Sequence, residues 1–207
     1  MVQNAWGLKY AEVMGLTWLA YRGNGTVGKY NFPNAGRNWL IKEVYEYGSF
    51  RVIRTELEGD GKKVLSFAGT DDGGDWGNNV AQEVLSFSTQ YDTASLLTAE
   101  NRPDVVVGHS LGGGLAAYSG VYQKIPAATI NAAPLHLRSR VVSFFSGNHS
   151  IINFVVPGEI LDLYDAQSIQ SNKVGKIVYV SSNAGLNPVD RHSIGNLVGF
   201  AQPVKIG

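Results

Sequence analysis

Residues 104–117 read Asp-Val-Val-Val-Gly-His-Ser-Leu-Gly-Gly-Gly-Leu-Ala-Ala, and Ser110 stands at their centre. Asp104 to Gly108 is β-branched and apolar, as expected of a strand buried on both faces of a sheet. Leu111 to Tyr122 follows at once and predicts a helix. Between them Gly108, Ser110 and Gly112 form a G-x-S-x-G pattern. A serine placed there rides a very sharp strand-to-helix turn and lifts its hydroxyl above the sheet. Such a turn crowds strand against helix, so glycines two residues to either side remove the side chains that would collide. The helix also points its first amides at the site, where negative charge would develop on a substrate oxygen. Ser110 is therefore the candidate nucleophile.

Around this segment, short apolar runs alternate with helical stretches. Lys63 to Ala68, Ala127 to Ala132, Ile151 to Val156 and Ile177 to Ser181 predict further strands, while Val141 to Phe145 is ambiguous. Asn79 to Leu97 predicts one or two helices. Alternation of this kind implies an α/β fold, a mostly parallel central sheet with helices on both faces. Upstream, Lys42 to Glu56 predicts a hairpin turning near Gly48, and Gly23 to Gly36 predicts a loop. Trp6, Tyr10, Val13, Met14 and Thr17 recur at helical spacing, so Ala5 to Leu19 predicts an amphipathic helix packed on the domain. With no repeat, low-complexity tract or linker, residues 1–207 read as a single domain.

Composition narrows the function. Lys plus Arg equals Asp plus Glu at 17 each, which disfavours nucleic acid as a partner. The absence of cysteine excludes disulfides, thiolate metal sites and cysteine nucleophiles. Nothing calls for a metal or cofactor. Met1 to Tyr21 carries Lys9 and Glu12 inside its apolar run and so lacks the pattern of a secretion signal, and no stretch reaches the length of a membrane span. Export, if it occurs, is expected to use a specialised route, with a cytoplasmic location as the other reading.

A serine hydroxyl needs a histidine to take its proton and an acid to orient that histidine. In this fold they follow in the order serine, acid, histidine. Of the four histidines, His136 and His149 leave no room for an earlier acid strand, and His109 is expected to point away as packing. His192, in a loop after the last strand, is the candidate base. The acid is expected just beyond Ile151 to Val156: Glu159 follows Pro157-Gly158 directly, Asp162 is the alternative, and Asp165 and Asp190 are lesser candidates. The amide of Leu111 is the expected first oxyanion donor. Gly69-Thr70 at an earlier strand end would present the Thr70 amide and hydroxyl as the second.

These motifs resemble the class 3 lipases: Phe67-Ala-Gly-Thr70, Asp75-Trp76 with Asn79, Gly108-His-Ser-Leu-Gly-Gly113 and a late histidine. They are more closely similar to bacterial phospholipase toxins of contact-dependent, type VI-like secretion systems. That likeness adds Gln90-Tyr91 with Ala94, Asn131-Ala132, Gly158-Glu159 and Asp190-Arg-His192-Ser193, and it covers roughly Lys63 to Asn196. It implies Ser110 as nucleophile, His192 as base, Glu159 as acid, and Thr70 with Leu111 as the oxyanion hole, with Asp75 and Trp76 bracing the oxyanion loop. Two departures stand out: Ala68 replaces the family's arginine, and glutamate replaces the usual aspartate at the acid position. The substrate implied is a lipid ester, with a phospholipid as the narrower expectation, met by transient contact with a membrane surface. A cognate immunity protein is implied as partner. Competing expectations are a small-ester esterase, thioesterase or acyltransferase on the same scaffold, and a non-catalytic lipid- or partner-binding module.

Overall fold

The computed structural model describes residues 4–69, 88–134, 150–166 and 174–207. In chain order the elements are β1 (Asn4–Ala5), β2 (Leu8–Lys9), α1 (Tyr10–Ala20), β3 (Gly28–Phe32), β4 (Arg37–Tyr47), β5 (Phe50–Leu57), β6 (Lys63–Phe67), α2 (Ser88–Asn101), β7 (Val105–His109), α3 (Leu111–Gln123), β8 (Ala127–Ile130), β9 (Ile151–Val155), α4 (Ile160–Ala166), β10 (Lys176–Tyr179), α5 (Pro188–His192) and β11 (Val204–Ile206). A 3-10 turn, Ile194–Asn196, lies between the last two.

Strands β3 to β11 form one sheet in the order β10-β9-β8-β7-β6-β5-β4-β3-β11. The five strands from β6 to β10 run parallel. From β5 outward the sheet continues antiparallel, through the hairpin at Gly48 to the edge pair β3 and β11. The fold is α/β, as expected, and its parallel block carries the site. Residues 79–87 and 141–145, for which a helix and an ambiguous segment are expected, lie outside the described residues.

Strand β7 shows why the triple valine decides the architecture. Val105 and Val107 face one layer, in a cluster with Val13 and Leu16 of α1. Val106 faces the other, with Leu97 of α2 and Leu115 and Ala116 of α3. Each such side chain contributes about 1.5–3 kcal/mol when fully withdrawn from water. Two helical layers are thus fastened to one strand, and the tip of that strand is the serine turn.

Three expectations change. The N-terminal helix begins at Tyr10 rather than Ala5, because Trp6 and Gly7 take positive φ and turn β1 back onto β2. It is not amphipathic but buried on nearly every side: Gly15 lies so close to Phe32 that a Cβ there would stand 2.5 Å from its ring. The one buried acid of this helix, Glu12, accepts the Trp39 indole N–H at 2.9 Å and pairs with Arg37. The region 23–36 is not all loop, since β3 occupies its centre; turn residues flank a strand that pairs with both β4 and β11. His192 ends a short helix instead of sitting in a loop, with Asn187 as its N-cap accepting the Asp190 N–H at 2.9 Å.

Arg51, only 4% exposed, fixes the far end of α1. Its guanidinium donates to the carbonyls of Leu19, Ala20 and Tyr21, and also to Gly25. A cation at a helix C-terminus satisfies carbonyls that have no partner within the helix. This holds Tyr21 and Arg22, which reappear below, in one place.

Candidate active site

Ser110 has φ 58° and ψ −128°, a conformation non-glycine residues rarely adopt and one that costs about 1–3 kcal/mol. The turn is held from both sides. The Ser110 N–H donates to the Ile130 carbonyl at 3.1 Å, and its carbonyl accepts the Gly114 and Ala133 N–H groups at 3.2 and 2.8 Å. The glycines around it are needed for room. A Cβ on Gly108 would lie 2.1 Å from the Gly112 carbonyl oxygen, and one on Gly112 would lie 2.2 Å from that of Phe67. Gly69 is equally confined, its missing Cβ falling 2.5 Å from the Tyr21 hydroxyl and 3.2 Å from Ser110 Cβ. Leu111 is the first residue of α3, so its N–H has no acceptor within the helix. Thr70, Asp75 and Trp76 lie outside the described residues, as do His136 and His149.

The structure brings His192 and Glu159 together across two elements. His192 Nδ1–H donates to Glu159 Oε2 at 2.6 Å, and both side chains are buried, at 3% and 0% exposure. Glu159 also caps the start of α4. Its Oε2 accepts the Leu161 N–H at 2.9 Å and its Oε1 the Asp162 N–H at 2.7 Å. Three N–H donors therefore meet the carboxylate, compensating a charge that burial alone would penalise. Asp162 does something else: its Oδ2 accepts the Gly158 N–H at 2.9 Å and closes the turn into α4. Asp190 faces solvent, its Oδ2 accepting from the Asn187 amide at 2.8 Å. The Asp165 side chain lies outside the described residues.

His109 departs from the expected packing role. It is 3% exposed, and its ring lies 4.6 Å from that of His192, centroid to centroid. Its Nε2–H donates to the His192 carbonyl at 2.7 Å, so its Nδ1 is the acceptor for the Tyr21 hydroxyl at 2.6 Å. Burial, then the charge of a protonated His192, push its pKa down to about 3, which keeps it in this neutral tautomer. Asn131 supplies a second fastening. It sits at positive φ, accepts the Val156 N–H at 2.9 Å and donates to the His192 carbonyl at 3.2 Å. The backbone of His192 is thus tied to the residue that precedes Ser110, and to the strand end beside it.

The sequence by itself assigns no role to Tyr21 and gives Asn131 only as part of a likeness. An asparagine at a strand end can take positive φ, which is a usable signal. Tyr21 has none, because its contact with His109 spans 88 positions and two layers.

A strained serine at the tip of a parallel strand, with a carboxylate-bound histidine delivered from beyond the last parallel strand, defines an α/β-hydrolase of the lipase type. Two solved lipases share the fold: the triacylglycerol lipase of Penicillium expansum (TM-score 0.53, 13% identity, covering 93% of this chain and 88% of that one) and the Rhizomucor miehei lipase in its propeptide complex (TM-score 0.54, 11% identity, covering 97% and 85%). More particularly, residues 46–196 match the phospholipase-like family model described as a Tle-like phospholipase domain, and the chain belongs to that family. The extracellular phospholipase A1 of Serratia liquefaciens is 43% identical over 79 residues, which are 36% of this chain. Those residues span a quarter of the Serratia protein. Among the described residues, no helix is long and apolar enough to cross a membrane.

Proposed function

We propose that this protein hydrolyses the carboxylic esters of glycerophospholipids through an acyl-enzyme on Ser110. Ser110 Oγ attacks the ester carbonyl while His192 Nε2 accepts its proton, and Glu159 holds the imidazole in the required tautomer and steadies the imidazolium. The tetrahedral oxyanion receives the Leu111 N–H, with Thr70 as the second donor. The protonated His192 then gives its proton to the departing lysophospholipid. Water, activated by the same imidazole, attacks the acyl-enzyme, and the fatty acid leaves with Ser110 restored.

The observation carrying this reading is the 2.6 Å hydrogen bond between His192 and a fully buried Glu159. A buried carboxylate that orients an imidazole is what acyl transfer by a Ser-His-acid triad uses. Family membership supports a phospholipid over a small ester, and the name of the Serratia relative favours the sn-1 bond as the one cut. The test is product analysis of phosphatidylcholine liposomes by mass spectrometry. The wild type is expected to release fatty acid and lysophospholipid, and Ser110→Ala neither; equal release by both would refute the assignment.

We infer that this protein acts as a toxin on the membranes of other bacteria, its producer protected by a cognate immunity protein. Expression directed to the periplasm of a susceptible bacterium should stop growth with the wild type and spare it with Ser110→Ala.

A further inference from the structure

A cleft of about 470 Å³ opens beside His192, in the region where α1 ends and α5 begins. One wall carries Trp18, Tyr21 and Arg22; the other carries Asp190, His192 and Ile194. Two residues of opposite charge, Arg22 and Asp190, thus line a single cleft beside His192. The Arg22 guanidinium is anchored by one bond, Nη2–H to the Gly48 carbonyl at 2.6 Å, on the turn of the β4–β5 hairpin. That uses one of its five donors. Arg22 and Asp190 form no ion pair with each other or with any other described residue. Opposite charges held in one cleft without meeting leave room for a ligand that carries both signs.

We propose that this cleft is a headgroup subsite for zwitterionic glycerophospholipids, with Arg22 on the phosphodiester and Asp190 on the ammonium group. The inference rests on the phospholipase reading and names the lipid class for it. In such a lipid the phosphate is one glycerol backbone away from the sn-1 ester, and the ammonium is two carbons beyond the phosphate. Tyr21, on the cleft wall, and Ser110 both lie against Gly69, 2.5 and 3.2 Å from where its Cβ would stand, so a headgroup in the cleft directs the ester towards Ser110. Guanidinium suits a phosphodiester because its planar fork meets two oxygens at once. Trp18 and Tyr21 also line this cleft, and aromatic rings suit a quaternary or primary ammonium. A headgroup with a net negative charge would bring like charge to Asp190.

The test compares rates on liposomes of phosphatidylcholine, phosphatidylglycerol and diacylglycerol, using the full chain. Arg22→Gln is expected to lower the ratio of phosphatidylcholine to diacylglycerol hydrolysis about 10- to 100-fold, the loss of a charge-assisted hydrogen bond, and Arg22→Lys to recover part of it. Asp190→Asn is expected to raise phosphatidylglycerol hydrolysis relative to phosphatidylcholine. Thermal melting checks that each variant is folded. A wild type active on phosphatidylcholine whose preference survives Arg22→Gln overturns the headgroup assignment alone. A wild type inactive on all three lipids overturns the phospholipase reading, and this inference with it.

Discussion

Shortening Glu159 by one methylene separates the two tasks its carboxylate performs. In Glu159→Asp the carboxylate withdraws by about 1.5 Å, one carbon–carbon bond. The hydrogen bond to His192, now 2.6 Å, would stretch to about 4 Å, beyond any useful geometry. Aspartate is meanwhile among the best N-cap residues, so the Leu161 and Asp162 amides keep an acceptor. Catalysis and folding should therefore part company. Loss of an oriented base is expected to cut kcat by about 10²- to 10⁴-fold. Stability should fall only by about 1–3 kcal/mol, the cost of leaving the buried His192 Nδ1–H unmet. Glu159→Ala removes the acceptor for all three donors and should cost about 3–5 kcal/mol. Asp162→Asn, which touches only the Gly158 turn, should leave kcat within a small factor of wild type. Initial rates on a soluble ester, paired with urea unfolding curves, measure both quantities. A Glu159→Asp enzyme of near wild-type kcat, or an Asp162→Asn enzyme as impaired as it, would refute the reasoning.

Other expectations follow from the same contacts. In the unfolded chain a histidine titrates near 6.5, whereas His109 is held down to about 3; the unfolded state therefore takes up the proton first, and stability falls as pH drops from about 6.5 towards 3, by up to ~1.4 kcal/mol per pH unit. His109→Gln, which cannot charge, should flatten that slope by as much as one proton, and parallel wild-type and variant slopes in urea titrations would contradict it. Tyr21→Phe removes the hydroxyl that donates to His109 Nδ1 and should lower kcat several-fold with KM little changed, readable from steady-state kinetics. Gly112→Ala drives a Cβ into the Phe67 and Ala68 backbone and should cost about 1–3 kcal/mol or more, visible as a lower Tm. Arg51→Ala strips the C-terminal carbonyls of α1 of their donor and should destabilise by about 3–5 kcal/mol in chemical denaturation.

The parts of this molecule legible in the sequence are those governed by local rules. Val105 to Val107 announce a strand covered on both faces, and Gly108 and Gly112 announce a turn in which backbone meets backbone. The end of a parallel strand marks out Glu159 and Asp162 together as acid candidates, and local rules do not separate the two. What local rules do not supply is pairing over distance. Strand β11 is three residues with exposed side chains, Val204 and Lys205 among them, and exists because β3 offers it an edge. Residues 28–32 look like loop because their neighbours are turn formers, yet β4 and β11 make them a strand. The helix α1 loses its expected amphipathic character because the sheet, β3 and the Pro203 segment cover it together. His109 escapes local rules for a similar reason. Adjacent side chains on a strand point to opposite faces, but the α5 segment arrives above β7 and sets the His192 carbonyl within reach.

The central claim is that Ser110 is a nucleophile, and covalent labelling tests it most directly. A fluorophosphonate should add once to the wild-type chain, with the adduct mapping to the peptide containing Ser110, and should not add to Ser110→Ala. Wild-type protein that is folded and takes no label, or takes it at another residue while Ser110→Ala labels equally, would contradict the account.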